Sequence, residues 1–89
     1  MALIAVIDDD HDILDASSLV LSAKGYEVIT ADNPDDGYKI VKNKKPDLII
    51  LDYFLNDTNP TAASGMVILE KIKKVYPSIH VIMLSSQGK

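Results

Sequence analysis

Four short apolar runs alternate along this chain with stretches whose apolar residues recur at helical spacing. The runs are residues 2–7 (ALIAVI), 26–31 (YEVITA), 47–53 (DLIILDY) and 79–84 (IHVIML). This alternation constrains the fold more than any other feature. A short, continuous apolar run reads as a strand covered on both faces. Strands separated by helices imply right-handed βαβ crossovers and a parallel sheet. The third run is the most apolar and should be central. The second is more polar and should lie nearer an edge.

The stretches between the runs carry helix punctuation. For residues 11–24, Asp10 is a suitable N-cap, Lys24 suits the last turn and Gly25 ends the helix. Its expected core stripe is Ile13, Ala16, Val20 and Ala23, with Leu14 and Leu21 beside it. The second helix has Asn33 as cap, Pro34 at its first position and Asp35 and Asp36 in its first turn. Lys42, Lys44 and Lys45 stand at its far end, where they compensate the helix dipole, and Pro46 follows. Residues 54–64 read as a loop. Ser64 can cap a third helix built on Ile68, Leu69, Ile72 and Val75 and ended by Pro77.

Composition narrows the function classes. With 89 residues the chain makes one small domain, and its 47% hydrophobic and 25% charged residues are those of a globular protein. No apolar run approaches the roughly 20 residues of a membrane helix. The N-terminus lacks the basic flank of a signal peptide. Cysteine is absent, which excludes disulfides and thiolate metal sites. A cytoplasmic location is expected. Nine lysines and no arginine face eleven aspartates and two glutamates, for a net charge of −4. An acidic chain without arginine is poorly suited to gripping phosphate backbones, so no direct nucleic-acid binding is expected.

In an open α/β sheet, ligands bind at the carboxyl ends of the strands. The first run ends in Asp8, Asp9 and Asp10, the third in Asp52, and the fourth in Ser85 and Ser86. If the first and third strands are neighbours, carboxylates from two loops converge. Two such groups about 4 Å apart repel by about 4 kcal/mol at an effective dielectric of 20. A hard divalent cation such as Mg²⁺ removes that conflict. A carboxylate beside it can act as a nucleophile toward a phosphoryl group, with a hydroxyl on the next strand end to bind the transferred oxygens.

With these residues in view, VIDDDHDIL, PDLIILDYFL and VIMLSSQG resemble the receiver domain of bacterial two-component response regulators. The resemblance implies a three-layer, flavodoxin-like parallel sheet of strand order 2-1-3-4 over residues 1–89, without the family's fifth strand and last two helices. It implies a phosphoacceptor signalling domain rather than an enzyme, with a sensor histidine kinase or phosphotransfer protein as phosphodonor. Asp52 matches the phosphoacceptor. Asp9 matches a direct Mg²⁺ ligand, Asp8 a carboxylate that holds the metal mainly through water, and the backbone carbonyl of Phe54 a further ligand, with Asp52 itself the third carboxylate of the metal set. Ser85 matches the hydroxyl that turns toward the phosphoryl group, and Ser86 the small residue that leaves room for it.

The chain also departs from the family. The family's lysine and aromatic switch residue belong to the fifth strand, and Lys89 does not match that lysine. Asn56 stands where the family has a proline, in a longer loop rimming the site. SSQG resembles the start of the family's next loop, which favours a piece of a longer chain, and the missing lysine supports an alternative reading as an interaction module that does not switch. With no fifth strand beside it, the fourth strand is expected to mediate self-association.

Other residues take plainer roles. Asp10 is a helix cap, Asp12 and Asp15 a solvated helix face, His11 and Asp57 solvent-facing, and His80 turned toward a helix or toward solvent. Asp8, Asp10 and Asp12 imitate the start of a calcium loop, but Ile13 stands where that loop needs Gly and Leu19 where it needs Glu. A haloacid-dehalogenase-like phosphatase would use Asp8 and Asp10, but it expects Thr or Val at Asp12 and gives Asp52 no role.

Overall fold

The computed structural model describes residues 2–52 and 65–84. Four strands and three helices alternate: β1 (Leu3–Ile7), α1 (His11–Ala23), β2 (Glu27–Ala31), α2 (Pro34–Lys44), β3 (Leu48–Asp52), α3 (Gly65–Val75) and β4 (His80–Leu84). The sheet order is β2-β1-β3-β4, with every pair parallel. The expected order is therefore met, with the LIIL strand inside the sheet and the more polar YEVITA strand at its edge.

The strand sequences dictate two cores. Side chains alternate across a strand, so Ala5 and Ile7 point to one face and Ile4 and Val6 to the other. The first face packs with Ala31, Ile49 and Leu51 beneath Val41 of α2 and Ile68 and Ile72 of α3. The second packs Ile4 and Val6 against Leu14 of α1, with Leu21, Val28, Leu48 and Ile50 around them. Ile7, Ile49, Leu51, Ile68 and Ile72 are each at most 1% exposed. Burying an aliphatic side chain of this size contributes roughly 1.5–3 kcal/mol.

Local signals fix the helix ends as the sequence predicts. Asp10 caps α1 by accepting the Asp12 N–H at 2.9 Å. Asn33 caps α2 by accepting the Asp36 N–H at 2.8 Å, and Pro34 opens that helix. Gly25 turns the chain out of α1 with a φ of 94°. Lys45 closes α2 in the left-handed region at a φ of 50°, where glycine is the less strained residue. The Ser64 cap lies outside the described residues.

One face was misjudged. The stripe expected on α1 is Ile13, Ala16, Val20 and Ala23, yet Ala16, Val20 and Ala23 are exposed, Val20 by 53%. Leu14 and Leu21, two turns apart, face the sheet instead. The larger leucines fill the space over Ile4 and Val6, which rotates the alanine flank outward. That flank and Ile50 line a shallow groove of about 310 Å³. Beyond it, β4 is an edge strand among the described residues. Val81 and Met83 pack inward, while Ile82 and Leu84 are 47% and 41% exposed.

Candidate functional site

The site is assembled by strand register. In the β1–β3 pair Ile7 lies opposite Leu51, so the next residue on each strand, Asp8 and Asp52, emerges side by side at the carboxyl edge. The Asp8 N–H still donates to the Ala31 carbonyl of the neighbouring strand at 3.0 Å, which holds its backbone in line with the sheet. Its Oδ1 accepts the Asp10 N–H at 2.9 Å, folding the chain over toward α1. Asp8 and Asp52 are each only 3% exposed, whereas Asp9 faces solvent.

Ligand oxygens of Asp8, Asp9 and Asp52 all lie within 4.8 Å of one another. The electrostatic consequence is concentrated on Asp8. Its carboxyl is raised from 3.8 to about 6, chiefly by burial and further by the charges of Asp52, Asp9 and Asp10, against the opposing pull of the Asp10 N–H. Three carboxylates sharing one small volume, two of them buried, form a donor set of hard oxygens with surplus negative charge. A divalent cation that takes carboxylates and retains several waters, as Mg²⁺ does, matches that set in charge and in ligand type.

The remaining expectations divide. Asp10 is occupied in capping α1 and is absent from the cluster, so the Asp8–Asp10 pairing of the phosphatase reading is not formed. Phe54, Ser85 and Ser86 lie outside the described residues, as do Asn56, Asp57 and Lys89. His80 is exposed on β4. His11 is exposed, as expected, but its Nε2 also meets Asp32 Oδ2 at 2.9 Å. That contact ties the first turn of α1 to the β2–α2 connection. Asn33 and His11 hold the Asp32 carboxyl below its ordinary value, with the Asn33 hydrogen bond the larger cause. Asp32 was not singled out in the sequence. The available signal was its position directly after the second apolar run, at the same sheet edge as Asp8 and Asp52.

Known proteins are similar to this chain in sequence and in fold. A family model described as the response regulator receiver domain matches residues 4–89. The transcriptional regulatory protein GlrR of Escherichia coli is 32% identical over 98% of this chain, which spans 18% of that protein. The phosphate regulon transcriptional regulatory protein PhoB of Pseudomonas aeruginosa is 31% identical over 97% of the chain, which spans 36% of it. Among solved structures, a CheY-like response regulator receiver domain protein from Methanospirillum hungatei superposes with a TM-score of 0.89 at 30% identity. The match covers all of this chain and 67% of that one. The receiver domain of NtrX from Brucella abortus superposes with a TM-score of 0.85 at 34% identity, covering 96% of this chain and 68% of that one.

Proposed function

Because the chain belongs to the response regulator receiver-domain family, we propose that it is a phosphoacceptor whose Asp52 takes a phosphoryl group from a histidine kinase or phosphotransfer protein. Domains of this family are signalling domains that receive phosphoryl groups from kinases. The observation that carries the proposal is the convergence of Asp52 with Asp8 and Asp9 at the carboxyl ends of β3 and β1.

The chemistry follows from that placement. An Asp52 carboxylate oxygen forms the new bond to phosphorus as the donor's phosphorus–nitrogen bond breaks, and the electron pair returns to the donor imidazole. Asp52 ends a buried strand, so its approach direction is fixed by the sheet and the incoming group need not find a mobile nucleophile. Asp8 and Asp9, with the Phe54 carbonyl, are the residues we assign to hold Mg²⁺ beside it. When bound, the ion neutralises charge on the carboxylates and on the phosphoryl oxygens. We assign Ser85 to hydrogen-bond the transferred group and Ser86 to leave space for it.

We place the chain in the cytoplasm with its phosphodonor. Among the described residues no helix is long and apolar enough to cross a membrane. We further propose that copies pair through β4, which is an edge strand among the described residues and carries the exposed Ile82 and Leu84. Sedimentation at micromolar concentration should then show a dimer, and a sharply melting monomer would exclude the pairing.

Incubation with acetyl phosphate and Mg²⁺, followed by intact-mass spectrometry, tests the main reading. Wild type should gain one phosphoryl group and Asp52→Asn none. Labelling that persists in Asp52→Asn would refute the assignment, and a wild type that stays unlabelled would favour an interaction module that does not switch.

A further inference from the structure

The charges of this chain are sorted by sheet edge. Eight of the thirteen acidic residues stand at the carboxyl edge or in the connections that leave it: Asp8, Asp9, Asp10, Asp12, Asp32, Asp35, Asp36 and Asp52. At the opposite edge α2 and α3 both end, and they end in lysines. Lys42 and Lys44 occupy the last turn of α2, Lys45 is its cap, and Lys73 and Lys74 occupy the last turn of α3. All five residues are exposed.

Two contacts bring the lysine-bearing ends of α2 and α3 together. The Lys45 ammonium lies 5.9 Å from the centre of the Tyr76 ring, just past the end of α3, so the two helix ends meet. Between them is an open notch of about 230 Å³ lined by Lys45, Pro46, Asp47, Tyr76, Ser78 and Ile79. Lys73 reaches back to the Ile79 carbonyl at 2.6 Å and pins the floor of that notch.

The positive charge exceeds what the fold requires. A helix C-terminus carries roughly half a negative charge, so two ends account for about one of the five lysines. Among the described residues none of the five forms an ion pair with a carboxylate. Asp47 also lines the notch, but its Oδ2 already accepts the Leu3 N–H at 2.8 Å, and the pairing aligns the starts of β1 and β3. Lys45 also keeps its side chain at a backbone position where glycine is less strained.

We propose that this edge is a docking surface for an acidic segment of a partner protein, with the Lys45–Tyr76 notch receiving one of its side chains. The chemistry favours carboxylates over a nucleic-acid backbone. A short acidic segment can pair with these lysines as separate point charges without reaching the aspartate edge. The eight carboxylates of the other edge would also repel a long polyanion. The inference goes beyond phosphotransfer, because a partner held here leaves the Asp52 edge open.

The test uses the whole chain and a short fluorescent polyglutamate peptide as probe. At low salt the peptide should bind and shift the backbone amide resonances of Lys45, Tyr76 and Ser78. Raising the salt to a physiological level should weaken binding several-fold. The triple charge reversal Lys42→Glu, Lys44→Glu, Lys74→Glu should weaken binding by about tenfold or more, while Lys24→Glu, at the cap of α1 on the other face of the sheet, leaves it unchanged. Should the triple variant fail to fold, the wild-type resonance map and the milder Lys42→Gln, Lys44→Gln pair carry the same comparison. Absence of binding at low salt, equal loss in Lys24→Glu, shifts confined to other surfaces, or tighter binding of a single-stranded oligonucleotide at the notch would each overturn the proposal.

Discussion

Asp8 and Asp52 stand one residue beyond the Ile7–Leu51 pair of adjacent parallel strands, and both are almost fully buried with carboxylate oxygens within 4.8 Å. Neither can swing into solvent to relieve the repulsion, so the pair is poised for a counter-charge. Its geometry comes from the register of the two strands.

Metal binding should therefore need the third, exposed carboxylate to complete the set. Mg²⁺ titrated into the wild type should bind and raise the melting temperature in a concentration-dependent way. Asp9→Asn should remove most of that rise. Equal affinity in both proteins, read by calorimetry, would show that the ion sits elsewhere.

The raised Asp8 carboxyl makes a signed prediction for the metal-free protein. The folded chain keeps this proton up to about pH 6, whereas the unfolded chain releases it near 3.8. The protonated form's contribution is thus complete below about pH 4 and lost as pH rises through about 6. Asp8→Asn keeps an oxygen to accept the Asp10 N–H and removes the charge. It should stabilise the chain at pH 7 by about 1–2 kcal/mol, the full conversion of the shift being reduced for residual solvent contact. It should also abolish Mg²⁺-dependent stabilisation. Chemical denaturation at pH 5 and 7 distinguishes this from a substitution that merely damages packing, which would destabilise at both.

His11 and Asp32 give the opposite sign. The depressed Asp32 carboxyl favours the folded state above its unfolded value, and that contribution is lost as pH falls through the native value. In His11→Ala the Asp32 carboxyl should move only part of the way back, because Asn33 is the larger cause. Carboxyl-carbon NMR titration reads this directly, and an unchanged Asp32 would mean that the contact with His11 is not maintained in solution.

Gly37 marks the closest approach of α2 to the sheet. A Cβ there would come within 2.8 Å of Ile7 Cδ1 and 3.0 Å of its Cγ2. Ile7 is fully buried and has nowhere to move. Alanine would gain up to about 1 kcal/mol of helix propensity, but overpacking a core costs about 1–3 kcal/mol. The net expectation for Gly37→Ala, with the full propensity gain, is a loss of up to about 2 kcal/mol by thermal or urea unfolding. A more stable variant would mean that α2 can lift away without cost.

The apolar runs made the strand order and the acid cluster readable in advance. A strand end is marked by the abrupt change from LIIL to Asp52 or from AVI to Asp8, and a parallel sheet aligns such ends. The rotation of α1 was not readable. Its sequence offers two overlapping apolar stripes, and only the volume needed over Ile4 and Val6 selects Leu14 and Leu21 over the alanines. The His11–Asp32 contact was hidden for a similar reason. It joins two connections twenty-one residues apart, whose proximity exists only once β1 and β2 pair.

The five-residue length of β1 and β3 sets one more property. At about 3.3 Å per residue, roughly 16 Å separates the aspartate edge from the lysine edge. Physiological salt damps electric fields over about 8 Å, so charge added at one end is nearly invisible at the other. Any message between the two edges must therefore travel as displacement of the tightly seated Ile7, Ile49 and Leu51, which makes the sheet an electrical insulator and a mechanical conductor.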